Sequence, residues 1–517
     1  MCERSSILTK WKSTNVVALP FLCLCLCIAP PAAAQVEQPH RFELRLNDTE
    51  PGFRVTPAST HGLILHRFVR SQQNHFLELI RLDTSFAEQW RGSIPIERNM
   101  AFIAAVTHKS HAYFLFHTFT AKSFQLYELD HETGKYRQYE INSLIRFSAT
   151  ECKVTGRGVL IGGYFNRVPL VLFYDLQTHK SSILPGLLNE DGELTQIKVF
   201  EDDSFQVLIG GLNFMRQRTI WIKNYQPDGT ILDNYALVPA DNTGLIFGRA
   251  TRSEGNVHIL SGVYGLRNSE YSRGLFISTI DPTGLQTTKY YNFGDLQNFF
   301  NYMKAKRSNR IKERIERRKI RGKKVRFNYR FLIHEVIEHN DQFIVLGEAF
   351  YPQYSSVGNA TYRGFFYPRS FSGYPMIRGD QVFEGYRYTH AVIIGFDRDG
   401  NLLWDNSFEI NDVKTYSLEQ FVRFDVQDDK IVLLYLYDNE IRTKIIRDSE
   451  VLEGKTIDPI RTLHENDVLV RTRRNTNQLD YWYDANFYAY GIHEIENAAP
   501  GGGIEKRRVF FVNKINL

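Results

Sequence analysis

Only five cysteines occur in 517 residues, and four of them, Cys2, Cys23, Cys25 and Cys27, lie within the first 27 positions. A disulfide scaffold is therefore excluded, and large-core burial must hold the fold together. The remaining one, Cys152, sits in a strand-like stretch, residues 147–154, and reads as a small buried hydrophobe. Long apolar runs are equally scarce: the longest, residues 16–29, is about 14 residues, roughly five short of a bilayer span. Net charge is small as well, with 63 basic residues against 58 acidic ones. What is plentiful is apolar and aromatic material, 43% and 14% of the chain, which excludes a disordered or collagen-like protein.

The apolar run follows Arg4, Lys10 and Lys12 and precedes Ala32, Ala33 and Ala34. Basic, apolar and small-residue regions in that order form a secretory leader, with cleavage expected after Ala34. Residues 1–34 are thus expected to be a signal peptide, the mature chain to be exported to the periplasm, cell surface or medium, and no transmembrane span to remain. Leu22, Leu24 and Leu26 precede the three clustered cysteines where lipoprotein processing needs a small residue, which argues against acylation.

A mature chain of about 480 residues exceeds what one compact core sustains, so it must split or repeat. It repeats. Short apolar strands rich in glycine recur at Val159-Leu160-Ile161-Gly162-Gly163, Val207-Leu208-Ile209-Gly210-Gly211, Ile259-Leu260-Ser261-Gly262 and Ile344-Val345-Leu346-Gly347, with Ile431-Val432-Leu433-Leu434 as a glycine-free copy. Gly162 to Gly210 is 48 residues and Gly210 to Gly262 is 52; the next interval returns to 49 once an insertion at 293–328 is removed. Turn residues precede each strand, as in Glu201-Asp202-Asp203, Glu254-Gly255-Asn256, Asn340-Asp341 and Asp428-Asp429. A second strand follows and ends in another turn, as in Asp130-His131-Glu132-Thr133-Gly134, Pro227-Asp228-Gly229, Asp281-Pro282-Thr283-Gly284 and Asp397-Arg398-Asp399-Gly400. The unit is a four-stranded antiparallel meander of about 47 residues.

Eight such units start near residues 53, 100, 147, 194, 246, 329, 418 and 465. The pattern resembles a β-propeller, which implies an all-β fold of eight four-stranded blades, with seven as the alternative. The last unit lacks a fourth strand and residues 42–46 supply a spare one, so the two ends of the domain, residues 35–517, are expected to share one blade. The WD signature and the sialidase Asp-box are absent, and five tryptophans are too few for quinoprotein-type blades. The C-terminal third, including residues 390–397 and 401–408, looks like uncharacterised secreted bacterial proteins, a likeness that implies no activity. An outer-membrane barrel is the competing architecture, but its strands alternate apolar and polar residues. Runs such as 207–212 and 431–437 do not.

Two insertions interrupt the repeat, and these map to exposed loops. In residues 304–326, thirteen Lys or Arg face only Glu313 and Glu316, so this stretch alone carries more than twice the chain's net +5. Asp295 is expected to cap a helix presenting Leu296, Phe299, Phe300 and Met303 on one face, Gly322 to end it, and Glu313 to pair with Arg317. Arg310, Arg314, Arg317, Arg318, Lys319 and Arg321 are its candidate binding residues. They would suit a phosphorylated glycolipid, anionic polysaccharide, membrane surface or acidic protein; nucleic acid has no accompanying fold motif. The alternative is a solvated helix without a ligand.

The second insertion, residues 351–388, is dense in Tyr, Phe, Gly, Ser and Pro. Tyr354, Tyr362, Phe365, Phe366, Tyr367, Arg369 and Tyr374 are candidates for contacting a glycan or protein, since tyrosine among small residues suits adaptable recognition. The competing reading has the rings, with Phe371, Phe383, Tyr386 and Tyr388, folding back over a blade or plugging the channel mouth.

Catalytic signals are sparse. Asp397-Arg398-Asp399-Gly400-Asn401 resembles the start of a calcium loop without its distal glutamate, and His108 and His111 form a weak pair without further ligands. No nucleophile elbow, phosphate loop or zinc-protease motif occurs, and no cofactor is implied. Two readings follow: a non-catalytic exported propeller that binds an acidic or surface-exposed macromolecule, or a secreted polysaccharide hydrolase or lyase with carboxylates in its channel.

Overall fold

The computed structural model describes residues 36–517 except 59, 61, 71–73, 119–121, 188–191, 324, 357–380, 412, 428, 473–476 and 499–503. The expected leader, residues 1–34, lies outside them. Eight separate antiparallel sheets follow one another along the chain, as blades 1 to 8 of a propeller. Blades 1 to 7 begin with the strands Arg54–Pro57, Met100–His108, Ser148–Val154, Gly192–Val199, Thr243–Ser253, Arg330–His339 and Arg423–Gln427. The strand pairing excludes a barrel, which would be one continuous sheet. Blade 6 carries a fifth short strand, Lys414–Thr415.

Within each blade, burial follows strand order. Second and third strands are sealed on both faces: Val159, Leu160, Ile161, Leu170 and Val171 of blade 3 are all fully buried. Fourth strands such as Glu88–Ile96 and Ile231–Ala236 are largely exposed. First strands of successive blades touch one another from blade 1 to blade 6 and line the axis there. The recurrent glycines sit where no Cβ fits: one on Gly162 would lie 2.7 Å from Leu194 and 2.8 Å from Ile197 of the next blade, and one on Gly347 would overlap the ring of Phe331 on the first strand of its own blade. Turns between third and fourth strands close on an aspartate. Asp130, Asp281 and Asp397 each accept backbone N–H groups two to four residues on, and Gly134, Gly284 and Gly400 take up the positive φ that the turn requires.

Blade 8 is built from both ends of the described chain. The strand Arg41–Arg45 pairs with Ile504–Asn516, placing Phe42 opposite Val512. Ile504–Asn516 pairs with Asn486–Ala498, whose inner edge meets two short strands, Val468–Thr472 and Gln478–Tyr483. A polar seam reinforces the closure: Gln38 Nε2 donates to the Pro459 carbonyl at 2.8 Å, and Asn513 Nδ2 donates to Gln38 Oε1 at 2.9 Å.

First strands of six blades share one irregularity. An extra residue, Ile103, Thr150, Thr195, Ile246, His334 or Val470, bulges against the second strand or its equivalent. Bulges bend a strand and re-aim the side chains beyond it. Glu151, Gln196 and Glu335 directly follow three of them.

Candidate functional site

In an antiparallel four-stranded blade, loops between second and third strands and connections between successive blades leave from the same end. The insertion at 293–328 joins blade 5 to blade 6, and the one at 351–388 joins the second and third strands of blade 6. Both therefore rise from one face. They also share a hydrophobic cluster, in which Phe293, Leu296, Phe299 and Phe300 meet Phe331, Phe350, Tyr386 and Tyr388. His390 lies at the centre of this junction, fully buried, stacked on Tyr302 with centroids 3.7 Å apart and planes 5° off parallel.

The basic helix spans Ala305–Ile320 with Lys304 at its N-cap position, nine residues later than the expected Asp295 cap. Residues 295–303 instead form tight turns, with Asn301 N donating to Asn298 O at 2.9 Å and Met303 N to Phe300 O at 3.1 Å. Buried Asp405, on the fourth strand of blade 6, draws them in by accepting the N–H groups of Gln297 at 2.8 Å and Asn298 at 2.7 Å. Burial raises the Asp405 carboxyl above its ordinary value, against the pull of those amides. Leu296, Phe299 and Phe300 are thus buried through turns, and Asp295 pairs with Lys319 at 3.4 Å.

Gly322 ends the helix as expected. At φ +63° it donates to Lys319 O, while Lys323 N reaches Arg318 O, which satisfies two terminal carbonyls. The expected Glu313–Arg317 pair is absent in that form: Arg317 Nε reaches the Glu313 backbone carbonyl at 3.3 Å.

Ser308 and Ile315 are the buried residues of the helix. Arg310, Arg314, Arg317 and Arg321 recur at spacings of four, three and four, which aligns them in one row about 16 Å long on the opposite side. All four are exposed, and no carboxylate pairs with any of them among the described residues. Arg318 and Lys319 lie off this row. Lys304, Lys306 and Arg307 stand at the N-terminal end, where the helix dipole disfavours cations and no side chain caps. Those three cations do not stabilise the helix, whereas Arg317, Arg318 and Lys319 sit in its last turn, where the dipole favours them.

Tyr362, Phe365, Phe366, Tyr367, Arg369 and Tyr374 lie outside the described residues. The stem is described: strands Gln342–Ser356 and Gln381–Asp397 extend well beyond the other blades. There Tyr354 packs on its cross-strand partner Phe383 at 5.7 Å and Phe383 on buried Tyr386 at 5.0 Å, so the stem's rings pack along the hairpin itself.

Toward the axis, Arg249 of blade 5 lies within electrostatic range of Glu151 of blade 3 and Glu335 of blade 6, and Lys198 of blade 4 within range of Glu335. Burial raises the Glu151 carboxyl and lowers the Arg249 guanidinium and the Lys198 ammonium. Lys198 Nζ donates to Thr251 Oγ1 at 2.9 Å, and Arg249 donates to the Thr195 carbonyl. Cys152 is buried, and burial pushes its thiol up to about 12, which suits a packing residue. His108 and His111 diverge toward Asp203 and Asp130, at 3.7 and 3.9 Å. The Asp397 carboxylate closes its own turn on Asn401. No helix among the described residues is long and apolar enough to cross a membrane.

No family model and no curated protein matches the chain. Among solved structures, it is similar to one of two prolyl endopeptidases at 12% identity and TM-score 0.39, covering 80% of this chain and half of that one. It is similar to the β-propeller domain of the Trilobed protease from Pyrococcus furiosus at 11% identity and TM-score 0.36, covering 79% and 98%. An ulvan lyase of a polysaccharide lyase family matches at 9% identity and TM-score 0.38, covering 79% and 92%.

Proposed function

We propose that this protein is an exported, non-catalytic propeller that binds a polyanionic surface or polymer through the row Arg310, Arg314, Arg317 and Arg321. The observation that carries the reading is that row, unpaired and exposed on a helix whose opposite side is anchored in the core. The leader-like residues 1–34 support export. Each cation near an anionic bilayer contributes on the order of 1 kcal/mol, so four aligned side chains suffice for salt-sensitive binding. The test is retention on heparin and on vesicles containing anionic lipid. Changing the four arginines to glutamine should lower the salt needed for elution, whereas Lys319→Gln, off the row, should leave it nearly unchanged. Equal retention of the four-arginine variant and the parent would overturn the reading.

A second reading, a polysaccharide hydrolase or lyase, draws support from Glu151 and Glu335 beside Arg249 on the axis. A raised carboxyl suits a proton donor. It requires that sugar release from a polysaccharide fall with Glu151→Gln.

A further inference from the structure

The connection from blade 6 to blade 7, residues 410–422, has little regular structure yet is fixed at several points. Glu348, fully buried on the second strand of blade 6, accepts the N–H of Phe421 at 3.1 Å and of Val422 at 2.5 Å. His334 Nε2 lies 2.7 Å from the same carboxylate. The Tyr388 hydroxyl donates to Glu419 O at 2.7 Å and accepts from Glu419 N at 3.1 Å. Lys414 and Thr415 pair with Arg387 and Tyr386 as a short strand. A buried carboxylate is costly to desolvate, and here its hydrogen bonds fix an irregular loop.

That loop forms one wall of a cavity of about 540 Å³, whose other wall comes from blades 7 and 8. The size falls in the range of small-molecule sites. It opens on the face that bears both insertions, since it is lined by a blade-to-blade connection and by Tyr437 and Asp438 at the turn between the second and third strands of blade 7. Tyr416, 64% exposed, has no partner among the described residues. Glu419 and Asp480 present carboxylates, and Phe421 and Tyr437 supply further ring surface.

The two cations in the wall are already matched. Lys414 pairs with Glu384 at 2.8 Å and Arg423 with Asp480 at 2.9 Å. An anion therefore finds no free positive charge, and the polar lining is too extensive for an apolar ligand. Flat rings beside a carboxylate–guanidinium pair suit a sugar, whose C–H face stacks on an aromatic ring while its hydroxyls bridge charged groups.

We propose that this cavity binds a neutral saccharide, with Tyr416 as the stacking platform and Glu419, Asp480 and Arg423 as hydroxyl partners. The proposal goes beyond the polyanion reading and involves none of its residues. It is tested on the full chain with neutral trisaccharides of glucose, galactose, mannose and N-acetylglucosamine, by saturation-transfer NMR and calorimetry. At least one should bind; Tyr416→Ala should weaken it tenfold or more without moving the melting temperature, Glu419→Gln should also weaken it, and the four-arginine variant should bind it as the parent does. Absence of binding across the panel, binding indifferent to both Tyr416→Ala and Glu419→Gln, or tighter binding of a uronate trisaccharide would each overturn the proposal.

Discussion

Arg507 forks onto both oxygens of Asp467, with Nη1 2.9 Å from Oδ1 and Nη2 2.5 Å from Oδ2, at the seam where the two ends of the propeller share a sheet. The Asp467 side chain is wholly out of reach of solvent, and Asn497 also donates to it at 2.8 Å. Removing one member of a buried pair strands the other. Arg507→Met should therefore cost about 3 kcal/mol in urea unfolding, and adding Asp467→Asn should recover part of the loss. Additive losses would show that the pair does not couple.

Acid should loosen the ring. Burial holds His66, His390 and His493 down at about 3, and burial with nearby Arg81 holds His131 at about 4. Each is neutral in the fold and charges when unfolded below about 6.5. Their contribution is full above that value and is lost as pH falls toward the folded pKa, at up to about 1.4 kcal/mol per pH unit for each group. Asp467 acts in the same direction further down: burial opposes it, but Arg507 and the His464 amide hold its carboxyl below the ordinary range. Urea midpoints measured from pH 7 to 5 should fall steadily. His390→Phe keeps a ring against Tyr302 and should flatten that slope by about one proton's worth.

Gly162 is a packing position. Its added methyl would meet Leu194, Ile197 and Glu151 at 2.7 to 2.9 Å, so Gly162→Ala should cost about 1–3 kcal/mol through overpacking. Gly454, on an exposed fourth strand with nothing within 4 Å, should accept alanine with little change. Equal thermal shifts at the two sites would refute the packing account.

Asp405 holds the base of the basic helix. Asp405→Ala leaves the Gln297 and Asn298 amides without their acceptor, a loss of about 2–3 kcal/mol local to the insertion. Hydrogen exchange across residues 296–320 should accelerate while blades 1 to 4 keep their protection. Uniform acceleration around the ring would mean that the anchor is not local.

The ring was legible because its signals are local. Strands buried on both faces, aspartate–glycine turns and a packing glycine all lie within one repeat, and the unpaired strand near Phe42 pointed to the closure. The start of the helix was not, because Leu296, Phe299, Phe300 and Met303 keep helical spacing in a sequence that folds as turns. What decides between them is Asp405, more than one hundred residues away. The cavity beside Tyr416 was invisible for a related reason: its walls come from segments near 415, 437 and 478, joined only by the circular arrangement of blades.

The partner of Phe42 is Val512, so the earliest strand of the propeller must wait for nearly the whole chain before its sheet exists. Contacts of such sequence separation form slowly. A ribosome-bound intermediate would hold seven blades and an open gap, with the polar seam at Gln38 and Asn513 unmade. The step that completes this molecule is the meeting of its two ends, and a factor that shields the edge of the first blade during synthesis would act at that gap.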